Sequence, residues 1–153
     1  MKKNDENKFF GVLNGLEQDP RVCQMKRYTQ HKGSRTFDHC RSVAVSSFRM
    51  AQSLGLRIDE EALARGAMLH DFQLYNFREE PISAFRHAVD HPKRALRNAE
   101  SIFSLNRKER NIILSHMWPV SPLTLPRSKE AVLVMLADKY CALREFGRHA
   151  FSL

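Results

Sequence analysis

Cysteine is scarce in this 153-residue chain: Cys23, Cys40 and Cys141 are all there is. The number is odd and no two stand as C-x-x-C. That excludes a disulfide framework and a zinc ribbon, and it fits a reducing cytoplasm. Long apolar runs are missing as well. The most apolar stretch, AVLVMLA from Ala131 to Ala137, is far too short to span a bilayer. The basic start MKKNDENKFFGVL has no apolar segment behind it, so no signal peptide and no membrane association are expected. No unit of roughly 20 to 50 residues repeats, which excludes a solenoid. Strict apolar/polar alternation never lasts more than a few residues, so no strand is expected. Acidic residues are outnumbered, 17 against 25 basic ones, and the resulting net charge of +8 favours anionic partners. A nucleic-acid partner ranks last among these, because no RNA- or DNA-reading motif is present.

What is present is helical. FDHCRSVAVSSFRMAQSLG places Val43, Ala44, Phe48, Ala51 and Leu54 on one face, with Gly55 to stop the helix. DEEALARGAMLHD opens on Asp59 as N-cap with two acids in the first turn. In HPKRALRNAESIF, Pro92 predicts a helix start, where its missing N–H does no harm. Asn106 caps the next helix, and the three prolines of WPVSPLTLP make a loop. SKEAVLVMLADKYCALREFG predicts a last long helix capped by Ser128 and closed by Gly147. Residues 1–35 read as an adapter with a short helix around Lys8 to Leu16, and residues 36–153 as the main helical body of a single domain. The expected fold is all-α, a compact bundle of five to six or more helices.

Titratable residues fall on the inward faces of these helices. Asp138 is flanked at one-turn spacing by Val134, Met135, Cys141 and Ala142, where an unpaired carboxylate would be costly. His70 has Gly66 and Ala67 one turn back, and His116 has Ile112 and Ile113. His39 shares a face with Val43, and His91 stands beside Pro92 at the start of a further helix. One inward histidine is ordinary core packing. Several histidines and carboxylates, each from a different helix, are the ingredients of a metal centre suited to Fe, Mn, Ni, Zn or Co. The doublet His70-Asp71 fits two cations, because a carboxylate can bridge a pair and an imidazole cannot.

The ordered pattern H…HD…H…H…D, carried by His39 in TFDHCRSVA, His70-Asp71 in GAMLHDFQLYNF, His91 in DHPKRAL, His116 in LSHMWP and Asp138 in LADKYCALRE, resembles the HD-domain metal-dependent phosphohydrolases. The resemblance covers roughly residues 28 to 147, and the two extra histidines look like the branch with two metals. It implies that His39, His70, Asp71 and Asp138 hold one divalent ion and that Asp71, His91 and His116 hold the second, with Asp71 as bridge. It also implies a water between the ions as nucleophile on a small phosphorylated substrate, most naturally a nucleotide. Lys139 is expected near the phosphate as a catalytic cation. Lys93, Arg94 and Arg97, His31 in its basic loop and Trp118 are candidate substrate contacts. The G-Y-P signature of cyclic-dinucleotide members is absent: Met117-Trp118-Pro119 follows His116. Two alternatives stand beside hydrolysis, namely a di-iron oxygenase on the same ligand set and a non-enzymatic nucleotide-binding module.

Overall fold

The computed structural model describes residues 3–29, 34–72 and 84–150. Among these residues there are seven α-helices and no strand: α1 (Lys3–Gln18), α2 (Pro20–Cys23), α3 (Thr36–Ser53), α4 (Glu60–Leu69), α5 (Ala84–Glu100), α6 (Arg107–Ser115) and α7 (Lys129–Ala150). A 3-10 turn, Gln24–Arg27, follows α2. The expected all-α bundle is what the chain forms. Among the described residues no helix is long and apolar enough to cross a membrane.

The helix ends follow from local chemistry. The Asp59 carboxylate accepts the N–H of Ala62 at the start of α4. Asn106 and Glu109 form a reciprocal capping box on α6, and the Ser128 hydroxyl accepts the Ala131 N–H at the start of α7. α3 ends in a Schellman arrangement. Gly55 takes φ 61°, its N–H goes to the Gln52 carbonyl, and the Leu56 N–H goes to that of Ala51.

Three helix boundaries differ from expectation. Pro92 lies inside α5, which begins eight residues earlier at Ala84, so His91 projects from mid-helix and not from a helix start. Proline ranks as a starter because in a helix interior it removes one backbone hydrogen bond and its ring crowds the carbonyl four residues back, and α5 continues through it at that cost. Here Pro92, Ala95, Leu96 and Ala99 are all buried. α7 does not stop at Gly147 but runs to Ala150, because that glycine keeps a helical backbone; Gly55 alone takes a positive φ among the described glycines. α1 is also longer than Lys8–Leu16, and Asp5 and Glu6 suit its first turn.

The core is continuous across the helices. Phe9 and Leu13 of α1 join Phe48 of α3, Leu63 and Ala67 of α4, Ile112 and Ile113 of α6, and Val134 and Ala137 of α7. The rings of Phe9 and Phe48 stack at 4.1 Å. α4 and α6 come close together at Gly66. A Cβ there would lie 2.6 Å from Ile112 Cδ1 and 2.9 Å from its Cβ and Cγ2. The nearly buried Glu109 is held by Arg65, which also reaches the Ser104 carbonyl, tying the same two helices.

Lys108 bridges Asp59 at 3.2 Å and Glu130 at 3.5 Å, linking α6 to the starts of α4 and α7. Burial would raise both carboxyls, but backbone N–H donors and Lys108 hold them below their ordinary values. Burial likewise opposes the charge on Lys108, and Asp59 and Glu130 raise it. The carboxylates therefore stabilise at neutral pH, and that part is lost as pH falls below 3.8 to 4.5 and through their lowered folded values. The lysine part persists until pH passes above 10.5. Lys108→Met is expected to cost roughly 0.5–1 kcal/mol at pH 7, as partly exposed pairs do. Urea unfolding at pH 7 and again near pH 3 checks it: an equal deficit at both would mean the charge is irrelevant.

Candidate metal centre

α4 and α6 each deliver a histidine from the first position past the helix. His70 caps α4 and His116 caps α6. The last carbonyls of a helix have no partner within it. Each imidazole uses one: His70 Nδ1–H donates to the Ala67 carbonyl and His116 Nδ1–H to that of Ile113, both at 2.7 Å. These bonds fix the tautomer and turn both Nε2 lone pairs inward, the arrangement that metal-bound histidines use. The two rings lie 4.9 Å apart, one turn beyond the close crossing of Gly66 and Ile112.

The other donors arrive from α3, α5 and α7. His39 Nε2 lies 3.0 Å from Asp138 Oδ1. His70 Nε2 stands 3.6 Å from the same oxygen and 3.5 Å from Asp71 Oδ2. The other oxygen of Asp71, Oδ1, is 3.1 Å from His91 Nε2 and 3.4 Å from His116 Nε2. His91 and His116 bring their Nε2 atoms to 2.8 Å. None of these six residues is more than 9 % exposed.

Three overlapping groups of donor atoms result: His39, His70 and Asp71; His70, His116 and Asp138; and Asp71, His91 and His116. Within each, the atoms lie within 4.8 Å of one another. These groups could hold metal ions. The buried His70 Nε2 makes no hydrogen bond among the described residues, although its orientation is fixed from behind. A cation satisfies such an atom, and neutral imidazoles with carboxylate oxygens are donors that divalent transition metals accept.

The electrostatics point the same way. Burial would push the Asp71 and Asp138 carboxyls up, but the surrounding imidazoles more than reverse this. His70 and His91 act on Asp71, and His39 and His70 on Asp138, and both carboxyls lie well below the usual range. Burial opposes charge on His39 and His70, yet His39 is pushed up to about 10 by its bonds to Asp138 and Glu145. His70 is raised by Asp71. His116 is lowered, chiefly by burial, and stays a neutral donor. The interior holds anionic oxygens that call for positive charge, which bound metal ions could supply in place of protons.

The remaining candidate residues scatter. Lys139 is half-buried, and its ammonium donates to the His116 carbonyl at 3.0 Å and to that of Met135 at 3.4 Å. Burial lowers its pKa, with Asp138 opposing. Lys93 and Arg97 are exposed on the side of α5 away from Ala95 and Ala99, while Arg94 is half-buried, one turn from His91. Trp118 is half-buried two residues past His116, its backbone N–H on the Ser115 carbonyl. His31 lies outside the described residues. One residue escaped the sequence reading: Glu145, whose Oε1 is 3.0 Å from His39 Nδ1. Its position seven residues after Asp138, two turns along the same helix face, was the available signal.

The HD domain family model matches residues 36–143, most of the chain and the whole of the segment that carries the six donors. The chain belongs to the HD domain family, whose members are generally metal-dependent phosphohydrolases. No curated protein and no solved structure gives a significant match.

Proposed function

We propose that the protein is a metal-dependent phosphohydrolase that cleaves a phosphate ester of a small molecule, a nucleotide by preference, at a binuclear centre. The observation that carries this reading is the division of labour within Asp71. Oδ2 faces His70, and Oδ1 faces His91 and His116. A carboxylate whose two oxygens serve two different donor groups is built to bridge a pair of ions. His39, His70, Asp71 and Asp138 would hold one ion, and Asp71, His91 and His116 the other. Bound there, divalent ions such as Fe, Mn, Ni, Zn or Co would supply an acidified water and neutralise the charge of the phosphoryl group.

The chain's own part is positioning. The backbone-tied imidazoles of His70 and His116 keep their donors aimed without rearrangement. The overall charge of +8 draws an anionic substrate. Arg94 and Trp118 stand on the chain segments that carry His91 and His116, and we place them among the substrate contacts, with Lys93 and Arg97 as outer contributors; His31 is kept as a substrate contact on its sequence alone. Lys139, whose ammonium has three N–H donors and gives two to the His116 and Met135 carbonyls, we keep as the cation beside the phosphate.

Elemental analysis of protein purified without chelator, followed by a panel of phosphate esters with Mn²⁺, Ni²⁺ or Fe²⁺, tests the reading. The expected result is two metals per chain and anaerobic release of phosphate from a nucleotide. Turnover that strictly requires O₂ would replace hydrolysis with oxygenase chemistry. A chain that neither carries nor takes up metal would leave only a binding module.

A further inference from the structure

We propose that Glu145 is a positioning residue for the metal ligand His39 and that Ser34 braces it, an inference that rests on the metal-centre reading above. The need for it comes from where His39 sits. His70 and His116 lie at helix C-termini, where unpaired carbonyls take their Nδ1–H groups. His39 is in the first turn of α3, which begins at Thr36. Unpaired backbone groups at that end of a helix are N–H donors, and no spare carbonyl lies one turn back. The Nδ1 acceptor for His39 must come from another part of the chain.

α7 supplies it. Glu145 lies seven residues beyond Asp138, so one helix face presents both carboxylates to opposite edges of the same imidazole. Asp138 Oδ1 is 3.0 Å from Nε2, and Glu145 Oε1 is 3.0 Å from Nδ1. The second oxygen of Glu145 accepts the Ser34 hydroxyl at 3.0 Å, which fixes the plane of the carboxylate. The imidazole stands between Glu145 and the other donors, so Glu145 is not itself a ligand to the same ion. A carboxylate behind a ligand imidazole holds the proton on Nδ1, points the Nε2 lone pair at the ion and strengthens it as a donor. The Ser34–Glu145–His39 chain does for α3 what the Ala67 and Ile113 carbonyls do for α4 and α6.

The test uses the full-length chain and its Glu145→Gln, Glu145→Ala and Ser34→Ala variants. Each is stripped of metal and titrated with Co²⁺ against a competing chelator while the visible absorption of Co²⁺ is recorded. The expected order of affinity at one of the two sites is wild type, then Gln, then Ala. The alanine variant loses about 10–100-fold, and its Co²⁺ spectrum is altered. The other site and the melting temperature of the metal-free protein stay near wild type. Ser34→Ala shows a smaller loss in the same site. Unchanged affinity and spectrum in Glu145→Ala, or equal loss at both sites with a collapsed metal-free melting temperature, would overturn the role. If Glu145→Ala does not fold, Glu145→Gln and Ser34→Ala carry the same comparison. A wild-type chain that binds no Co²⁺ at all overturns the metal centre itself, and is thereby distinguished from a failure of Glu145 alone.

Discussion

Asp71→Ala is expected to abolish tight binding of both metals, not of one, and phosphatase turnover with it. Asp71 alone among the six turns separate side-chain atoms to the two flanks: Oδ2 faces His70, and Oδ1 faces His91 with His116. Loss of a partner merely behind a ligand costs about 10–100-fold in affinity, so loss of a shared ligand should exceed that at each site. His91→Ala is the contrasting variant, expected to empty one site and spare the other. Metal counting on dialysed protein checks both. Two ions retained per chain in Asp71→Ala would refute the bridge. The metal-free stability of the variant bears on the same point, because removing one side of a buried charge cluster typically costs about 3–5 kcal/mol when the partners stay charged. The raised pKa of His70 depends largely on Asp71, so part of that cost should be recovered as His70 sheds its proton in the variant.

Among the described glycines, Gly66→Ala is expected to meet the most severe clash. The added Cβ meets Ile112 at 2.6 to 2.9 Å, and one of the atoms it meets is the Ile112 Cβ, which no change of rotamer can move away. α4 and α6 must then separate. Overpacking of this kind costs about 1–3 kcal/mol, which in a chain of this size lowers the melting temperature by roughly 3–10 °C. The functional cost follows from spacing. His70 and His116 stand one turn beyond Gly66 and Ile112, so the displacement is delivered to the two imidazoles, and metal affinity falls together with stability. Combining Gly66→Ala with Ile112→Ala should restore only the part owed to Cδ1 and Cγ2, because alanine keeps the Cβ at 2.9 Å. Strictly additive losses in that double-mutant cycle would show that the two positions do not communicate.

Much of this architecture can be read from residue spacing. The inward faces, the caps Asp59, Asn106 and Ser128, and the six donors in order are local properties, which a 3.6-residue period and side-chain chemistry reveal. What could not be read depended on tertiary partners. Pro92 looks like a helix start by its own chemistry, yet its neighbours' burial carries α5 through it. Gly147 resembles a helix stop, but nothing demands a left-handed turn there. The bond from the Lys139 ammonium to the His116 carbonyl at the end of α6 was not legible either, because it joins residues 23 positions apart. Glu145 occupied the correct face but had no visible reason to be there until His39 was found in a first turn without a carbonyl. His70 could be seen to follow Gly66 by one turn, but the meaning of that glycine lies in a residue 46 positions away, at Ile112.

The six donors are borrowed from α3, the ends of α4 and α6, α5 and α7, with no two adjacent except His70 and Asp71. A zinc finger keeps its ligands on one short excised peptide; this chain has no such fragment. Cutting the polypeptide between residues 71 and 91 would divide the donors proposed for each ion, so each half should chelate more weakly than the whole, and mixing the halves should regain affinity only as they reassemble. Metal, in turn, would act as a rivet through the whole body, slowing amide exchange in helices that never touch it.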